Sequence, residues 1–290
     1  LVPGANDIPS VVAYLASVEA GHAVMLVEPD IAAERLDILL NAYRPELIVG
    51  KADLCKGMAE RLPLFSEISE DDNALGIWHR DVAVGLIHDE LSLLLSTSGS
   101  TGSPRMVRLS RRALEENARA IAISQYLTSM ERVLCHLSPH YAFGLSVINS
   151  YLSVGASVVL SGKSLMNNEI WDFARREAVT SFPGVPFHYD MLRRLNLEQL
   201  NIPTLKILMQ AGGAMAAPMV DLFRDMMRKR GGRLFVMYGQ TEAAPRLTTI
   251  DVTGTGAPSG TVGTALIGGR IEILDSTAQP LPVGVPGEVH

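Results

Sequence analysis

Four short stretches concentrate residue types able to do chemistry. The first, STSGSTGSPR (96–105), sets serines, threonines and glycines beside one cation, Arg105. Glycine lets successive backbone N–H groups point into one concavity, and Ser/Thr hydroxyls add further donors. With a fixed positive charge alongside, such a loop suits a phosphate. The same composition also makes an ordinary polar turn between two strands. It is not a Walker loop, because no Gly-Lys-Ser/Thr follows the first glycine at the required spacing. A second Gly-Lys-Ser, in SGKS (161–164), has Ser157 where that motif needs glycine.

The other three stretches follow apolar runs. MYGQTEAAPR (237–246) brings an aromatic, a hydroxyl and a carboxylate together as Tyr238, Thr241 and Glu242, at the end of RLFVMY. QAGGAM (210–215) places Gly212, Gly213 and Ala214 after LKILMQ. LSPHYAFGL (137–145) holds His140, Tyr141 and Phe143. On residue types alone, Tyr238 could equally close a core strand, Glu242 be a solvated carboxylate, and His136 and His140 be structural. A helical metal pair of those histidines is unattractive: they are four apart, but Pro139 interrupts a helix and no zincin-type Glu lies between them.

Strands interleaved with helices must carry these stretches. Helical spacing runs over 8–21, 31–43, 111–125, 143–155 and 218–231, with Ser110 as an N-cap for the third. Strand-like runs occupy 23–28, 46–50, 91–96, 106–110, 132–137, 156–160, 178–182, 205–210 and 233–238. This alternation predicts an α/β fold of helix-covered, mainly parallel sheets. Ligands in such sheets sit beyond the carboxyl ends of the strands. Near residue 252 the chain turns rich in Gly, Pro and Thr, which predicts a small antiparallel or barrel-like β unit over 252–290 after a core over 1–251. Residues 53–90 carry no clear pattern.

Of 290 residues 47% are hydrophobic, enough for a sizeable core, and the net charge is −6. That balance offers no basic surface for nucleic acid or an anionic membrane. No apolar run reaches the roughly 18 residues a membrane span needs. Cys55 and Cys135 are far apart, which fits a reducing cytoplasm and offers no cysteine metal motif.

Together the four stretches resemble, in order, the signatures of the adenylate-forming (AMP-binding) superfamily, which includes acyl- and aryl-CoA synthetases and peptide-synthetase adenylation domains. Residues 97–105 are similar to its Ser/Thr/Gly-rich loop, with Arg105 where Lys is usual and Met106 where Gly is usual. LSPHYAFGL is similar to its Pro-x-x-His-x-x-Gly segment, with the family's His falling on Tyr141 and His140 one residue early. QAGGAM and MYGQTE are similar to its Gly-Gly-Ala and Tyr-Gly-x-Thr-Glu signatures. The likeness spans almost the whole chain, which resembles the N-terminal domain of an acyl-CoA synthetase.

The resemblance implies activation of a carboxylic acid by ATP with Mg²⁺ to an acyl-adenylate, then transfer to a thiol, with CoA expected as acceptor. A pantetheinyl carrier and a non-catalytic homologue kept as a binding module are the alternatives. Thr97, Ser98, Gly99, Ser100, Thr101, Gly102 and Arg105 would hold the outer phosphates. Gly212, Gly213, Ala214, Tyr238, Gly239 and Gln240 would receive the adenosine, with Tyr238 stacked on adenine. Thr241 would donate to the α-phosphate and Glu242 would hold Mg²⁺. His140, Tyr141, Phe143, Val185, Ala211 and Ala243, with Ala244, would receive the acid. These are mostly apolar or small, which leans toward a fatty or aryl acid. Family members also extend before a segment like AYLASVEAG. Beyond Pro-Gly-Glu they carry a ribose-binding Asp, a hinge and a lid domain with a catalytic Lys. The expectation is therefore a large N-terminal domain incomplete at both ends and, alone, impaired in adenylation.

Overall fold

The structure, a computed structural model, describes residues 1–60, 65–70, 74–81, 85–97, 105–254, 256–258 and 260–290. The first part runs β1 (Val2–Pro3), α1 (Ile8–Glu19), β2 (Val24–Val27), α2 (Ala33–Tyr43), β3 (Leu47–Lys51) and α3 (Ala52–Ala59). Then come β4 (Ser66–Glu70), β5 (Leu75–His79), β6 (Leu91–Leu95), β7 (Val107–Ser110) and α4 (Arg111–Ser124). The next part alternates: β8 (Arg132–Cys135), α5 (Ala142–Leu152), β9 (Ser157–Leu160), α6 (Asn168–Arg176), β10 (Ser181–Gly184), α7 (Pro186–Leu195), β11 (Ile207–Gln210), α8 (Ala217–Lys229) and β12 (Arg233–Tyr238). A 3₁₀ turn at Thr241–Ala243 leads to β13 (Thr248–Asp251), β14 (Thr264–Ala265), β15 (Ile273–Leu274) and β16 (Glu288–Val289).

The larger sheet has the order β14-β13-β12-β11-β10-β8-β9. From β9 to β12 neighbouring strands are parallel, while β13 and β14 add antiparallel. Strands covered on both faces read as near-continuous apolar runs, and β10 and β11 are buried at every residue. Within them the two-residue period still divides the faces. Leu134, Phe182, Leu208 and Leu234 pack with Trp171, Tyr189 and Phe223. Val133, Ile207, Met209, Phe235 and Met237 pack with Val147 and Tyr151 of α5. α8 joins the first core through Phe223 and Met227, four residues apart and both fully buried. Each such side chain contributes roughly 2–3 kcal/mol by leaving water.

A second sheet, β1-β2-β6-β7, is parallel across β1, β2 and β6 and antiparallel at β7. The Ser/Gly-rich loop therefore joins two neighbouring strands, and most of it (98–104) lies outside the described residues. After β7, α4 starts where Ser110 Oγ accepts a hydrogen bond from Ala113 N at 3.1 Å. The region without a clear sequence pattern contains α3 and an antiparallel sheet ordered β3-β5-β4. Toward the C-terminus β15 and β16 form an open antiparallel pair, and no closed barrel is present among the described residues. Nor is any helix among them long and apolar enough to cross a membrane.

Candidate active site

β8, β10, β11 and β12 lie side by side in register, with Ser181 opposite Val133, Gly184 opposite Gln210, and Gln210 opposite Val236. Their carboxyl ends deliver residues 136–141, 185–188, 211–214 and 238–243 to one edge of the sheet. This is the place where parallel sheets receive ligands. Gln210 pins the Gly-Gly turn by donating from Nε2 to Gly213 O at 2.7 Å. Gly212 has φ +75°, and a Cβ there would lie 3.0 Å from Val185 Cγ1. The turn thus rests on Val185, while Gly212, Gly213 and Ala214 are exposed above the buried Ala211.

Beyond β12 the chain folds back on itself. Leu247 N donates to Tyr238 O at 3.0 Å. A Cβ on Gly239 would fall 1.9 Å from Pro245 O, so the fold-back admits only glycine there. Tyr238 is 37% exposed, although the four residues before it are buried. Gln240 and Glu242 are exposed, and Thr241 and Ala243 half-buried. Ala244 is buried with Leu95, Leu109 and Leu145. Leu95 is the last residue of β6 and Leu109 lies in β7, so this packing sets Thr241 and Glu242 beside the stems of the Ser/Gly-rich loop. Thr97 is half-buried and Arg105 exposed on those stems. Ser98, Gly99, Ser100, Thr101 and Gly102 lie outside the described residues.

The segment after β8 is built differently. His140 is 5% exposed, its Nδ1 2.7 Å from Ser138 Oγ and 3.3 Å from Gly4 O. Ser138 Oγ itself donates to Gly4 O at 2.6 Å, which leaves the His140 proton on Nδ1 and Nε2 buried without a partner among the described residues. Burial lowers the pKa of this imidazole. Tyr141 is exposed, with its ring centroid 4.1 Å from that of His140. His136 turns the other way. It stacks on Phe182, and its Nε2 lies 3.2 Å from His188 Nδ1, which also accepts from Val185 N. His136 Nε2 is therefore the donor. Burial first, and His188 second, push its pKa down to about 3.

The one Arg that closes MYGQTEAAPR has no role assigned from sequence. Arg246 is 4% exposed, with its guanidinium 4.8 Å above the Phe143 ring and 3.2 Å from Ser146 Oγ. Its position at the end of MYGQTEAAPR was visible, but the burial comes from α4 and α5, which no local pattern shows.

One family model, that of the AMP-binding enzyme, matches the chain over residues 4–290. The chain belongs to the AMP-binding enzyme family. It is 29% identical over 298 aligned residues to chondramide synthase cmdD of Chondromyces crocatus, covering 98% of this chain and 7% of that protein. It is 25% identical over 248 residues to a feruloyl-CoA synthase of an Amycolatopsis species, covering 85% of this chain and 48% of that protein. The chain thus spans half or less of the length of these relatives. Among solved structures, that of VinN superposes with a TM-score of 0.76 at 24% identity, covering all of this chain and 75% of VinN. This likeness shows the shared AMP-binding fold.

Proposed function

We propose that this AMP-binding chain is the core of an ATP-dependent acid–thiol ligase. A carboxylate oxygen attacks the α-phosphorus of ATP, the bond to the bridging oxygen breaks, and pyrophosphate leaves with the electron pair. A thiol sulfur then attacks the acyl carbon and AMP departs. The obstacle is bringing an anion to a polyanion, so the protein's work is positioning and charge neutralisation. The observation that carries this reading is the turn after β12. There an aromatic face and a carboxylate stand exposed, with no ion pair to Glu242 among the described residues, beside the stems of the phosphate-type loop.

In this reading Tyr238 offers its ring to adenine, and Gly212, Gly213 and Ala214 let the base lie against the backbone, with Gly239 and Gln240 beside it. Thr241 donates to the α-phosphate, where charge rearranges during attack. Arg105, with the loop from Thr97, steadies the outer phosphates. Glu242 suits Mg²⁺, since a free carboxylate is the hard oxygen ligand that ion prefers, and bound Mg²⁺ would neutralise phosphate charge. Tyr141, Phe143, Val185, Ala211 and Ala243 would border the acid, with His140 bracing that wall from below. The core over 1–251 would carry these groups, with 252–290 a separate β unit. We favour CoA as the thiol, as the likeness to feruloyl-CoA synthase supports; a carrier pantetheine is the second reading, which the likeness to chondramide synthase favours. Cys55 and Cys135 are buried and free, in keeping with a cytoplasmic setting.

The test is ATP–pyrophosphate exchange in the full-length protein. Glu242→Ala is expected to lower the Mg²⁺-dependent rate by about 100-fold while changing the unfolding free energy by no more than about 0.5 kcal/mol. Wild-type exchange in that variant would remove Glu242 from the site.

A further inference from the structure

Among the described residues, Arg246 is the sole Lys, Arg, Asp or Glu that is buried. Its main chain is clamped to α4: Asn117 Nδ2 donates to Arg246 O at 2.8 Å, and Asn117 Oδ1 accepts from Arg246 N at 3.3 Å. The side chain is thereby aimed inward, toward Phe143 and Ser146 of α5. Its partners there are the Phe143 ring, Ser146 Oγ and Met237 Sδ. None is charged, and a thioether is a weak acceptor for a group with five N–H donors. Burial lowers its pKa, to about 10, and no carboxylate among the described residues is paired with it. A buried cation without a counter-charge is strongly unfavourable.

A second donor converges on the same sulfur. Gln125 is 1% exposed, its Nε2 lies 3.0 Å from Met237 Sδ, and its buried Oε1 has no partner among the described residues. Two strong donors aimed at one weak acceptor mark where a better acceptor would sit. Met237, unbranched and flexible, can give way to it. The place also separates two ends of a ligand. Tyr238 and Glu242 are exposed and Thr241 half-buried at the strand ends, where in the proposed reading the reacting carboxylate meets the α-phosphate. Ser146 is four residues into α5, about 6 Å along its axis at about 1.5 Å per residue.

We propose that Arg246 is a specificity-determining residue that receives a second oxyanion at the far end of the acid, so that the preferred substrates are short dicarboxylic acids. This rests on the acid-activating reading above. It departs from the fatty or aryl acid suggested by Phe143, Val185, Ala211 and Ala243, because those residues line the wall and Arg246 supplies the charge behind it.

The test is ATP–pyrophosphate exchange by the full-length protein with succinate and glutarate against the chain-matched butyrate and valerate, alongside calorimetric Mg·ATP binding. The expected kcat/KM for a dicarboxylate is at least about ten-fold that of its monocarboxylate partner, the effect of one charge-assisted contact. Arg246→Gln should bring that ratio near one, and Arg246→Lys should keep part of it. A purely structural role would lower both rates together and leave the ratio unchanged, which overturns the proposal. So does a wild-type ratio of one or less, or no exchange with either dicarboxylate. Should Arg246→Gln fail to fold, the wild-type ratio and Arg246→Lys decide. Mg·ATP binding without dicarboxylate preference defeats this proposal alone; loss of Mg·ATP binding defeats the reading beneath it.

Discussion

The segments that leave β8 and β12 occupy the same edge of one sheet, and both resemble family signatures, yet the histidines of the first and Tyr238 and Glu242 of the second are used in opposite ways. After β12, Tyr238 and Glu242 are exposed and the backbone around them is locked by Gly239 against Pro245. After β8, His140 and His136 are turned inward and engaged, one by Ser138 and Gly4, the other by His188 and Phe182. Rigid backbone with idle side chains is what a ligand needs, since binding then costs little reorganisation. Occupied, desolvated side chains hold neighbouring segments together. Here they tie Gly4 and α7 to the end of β8. Motif likeness alone would have given both segments the same standing, and burial separates them.

The contrast predicts unequal responses to substitution. The largest is expected at the backbone lock. In Gly239→Ala the new methyl meets a carbonyl oxygen of the same tight fold-back, which no rotamer can relieve. We expect a loss of about 2–4 kcal/mol in unfolding free energy together with loss of Mg·ATP binding, measured by denaturant titration and calorimetry. Unchanged stability would show that the fold-back is not closed against Pro245.

A smaller, pH-dependent effect is expected after β8. His136 is kept neutral in the folded protein, its pKa pushed from 6.5 to about 3. Its contribution is fully present above pH 6.5. Below that the unfolded chain takes up the proton first, and stability falls as pH drops toward 3. One such group contributes a slope of at most about 1.4 kcal/mol per pH unit. His140 and His188 are shifted in the same direction by burial. His136→Gln should therefore flatten the acid limb of stability against pH, with little change in Mg·ATP affinity at pH 8. Parallel limbs for the two proteins would mean that the His136 ring titrates in water.

Much of this architecture was legible because local chemistry and tertiary packing agree. α4 begins at Ser110, as its cap predicts, and RLFVMY is a strand over its whole length. The candidate site segments were legible as strand ends because each follows an apolar run that ends a parallel strand. Legibility failed where short elements depend on partners far along the chain. α3 has only two turns, and SEISE becomes β4 by pairing with β5. Within RIEILD the strand is confined to Ile273 and Leu274, and Thr264–Ala265 joins the large sheet beside Thr248 and Thr249. Arg246 was unreadable for the same reason, because the ring and hydroxyl around its guanidinium come from 100 residues earlier in the chain.

The central claim is that the turn after β12 receives a nucleotide. The most direct measurement is calorimetric titration with Mg·ATP, wild type against Tyr238→Ala. Loss of an aromatic stacking face should weaken binding by about ten-fold, near the upper end of the 0.5–1.5 kcal/mol such contacts contribute, with unfolding free energy unchanged. Equal affinity in the two proteins would place the adenine elsewhere and contradict the account.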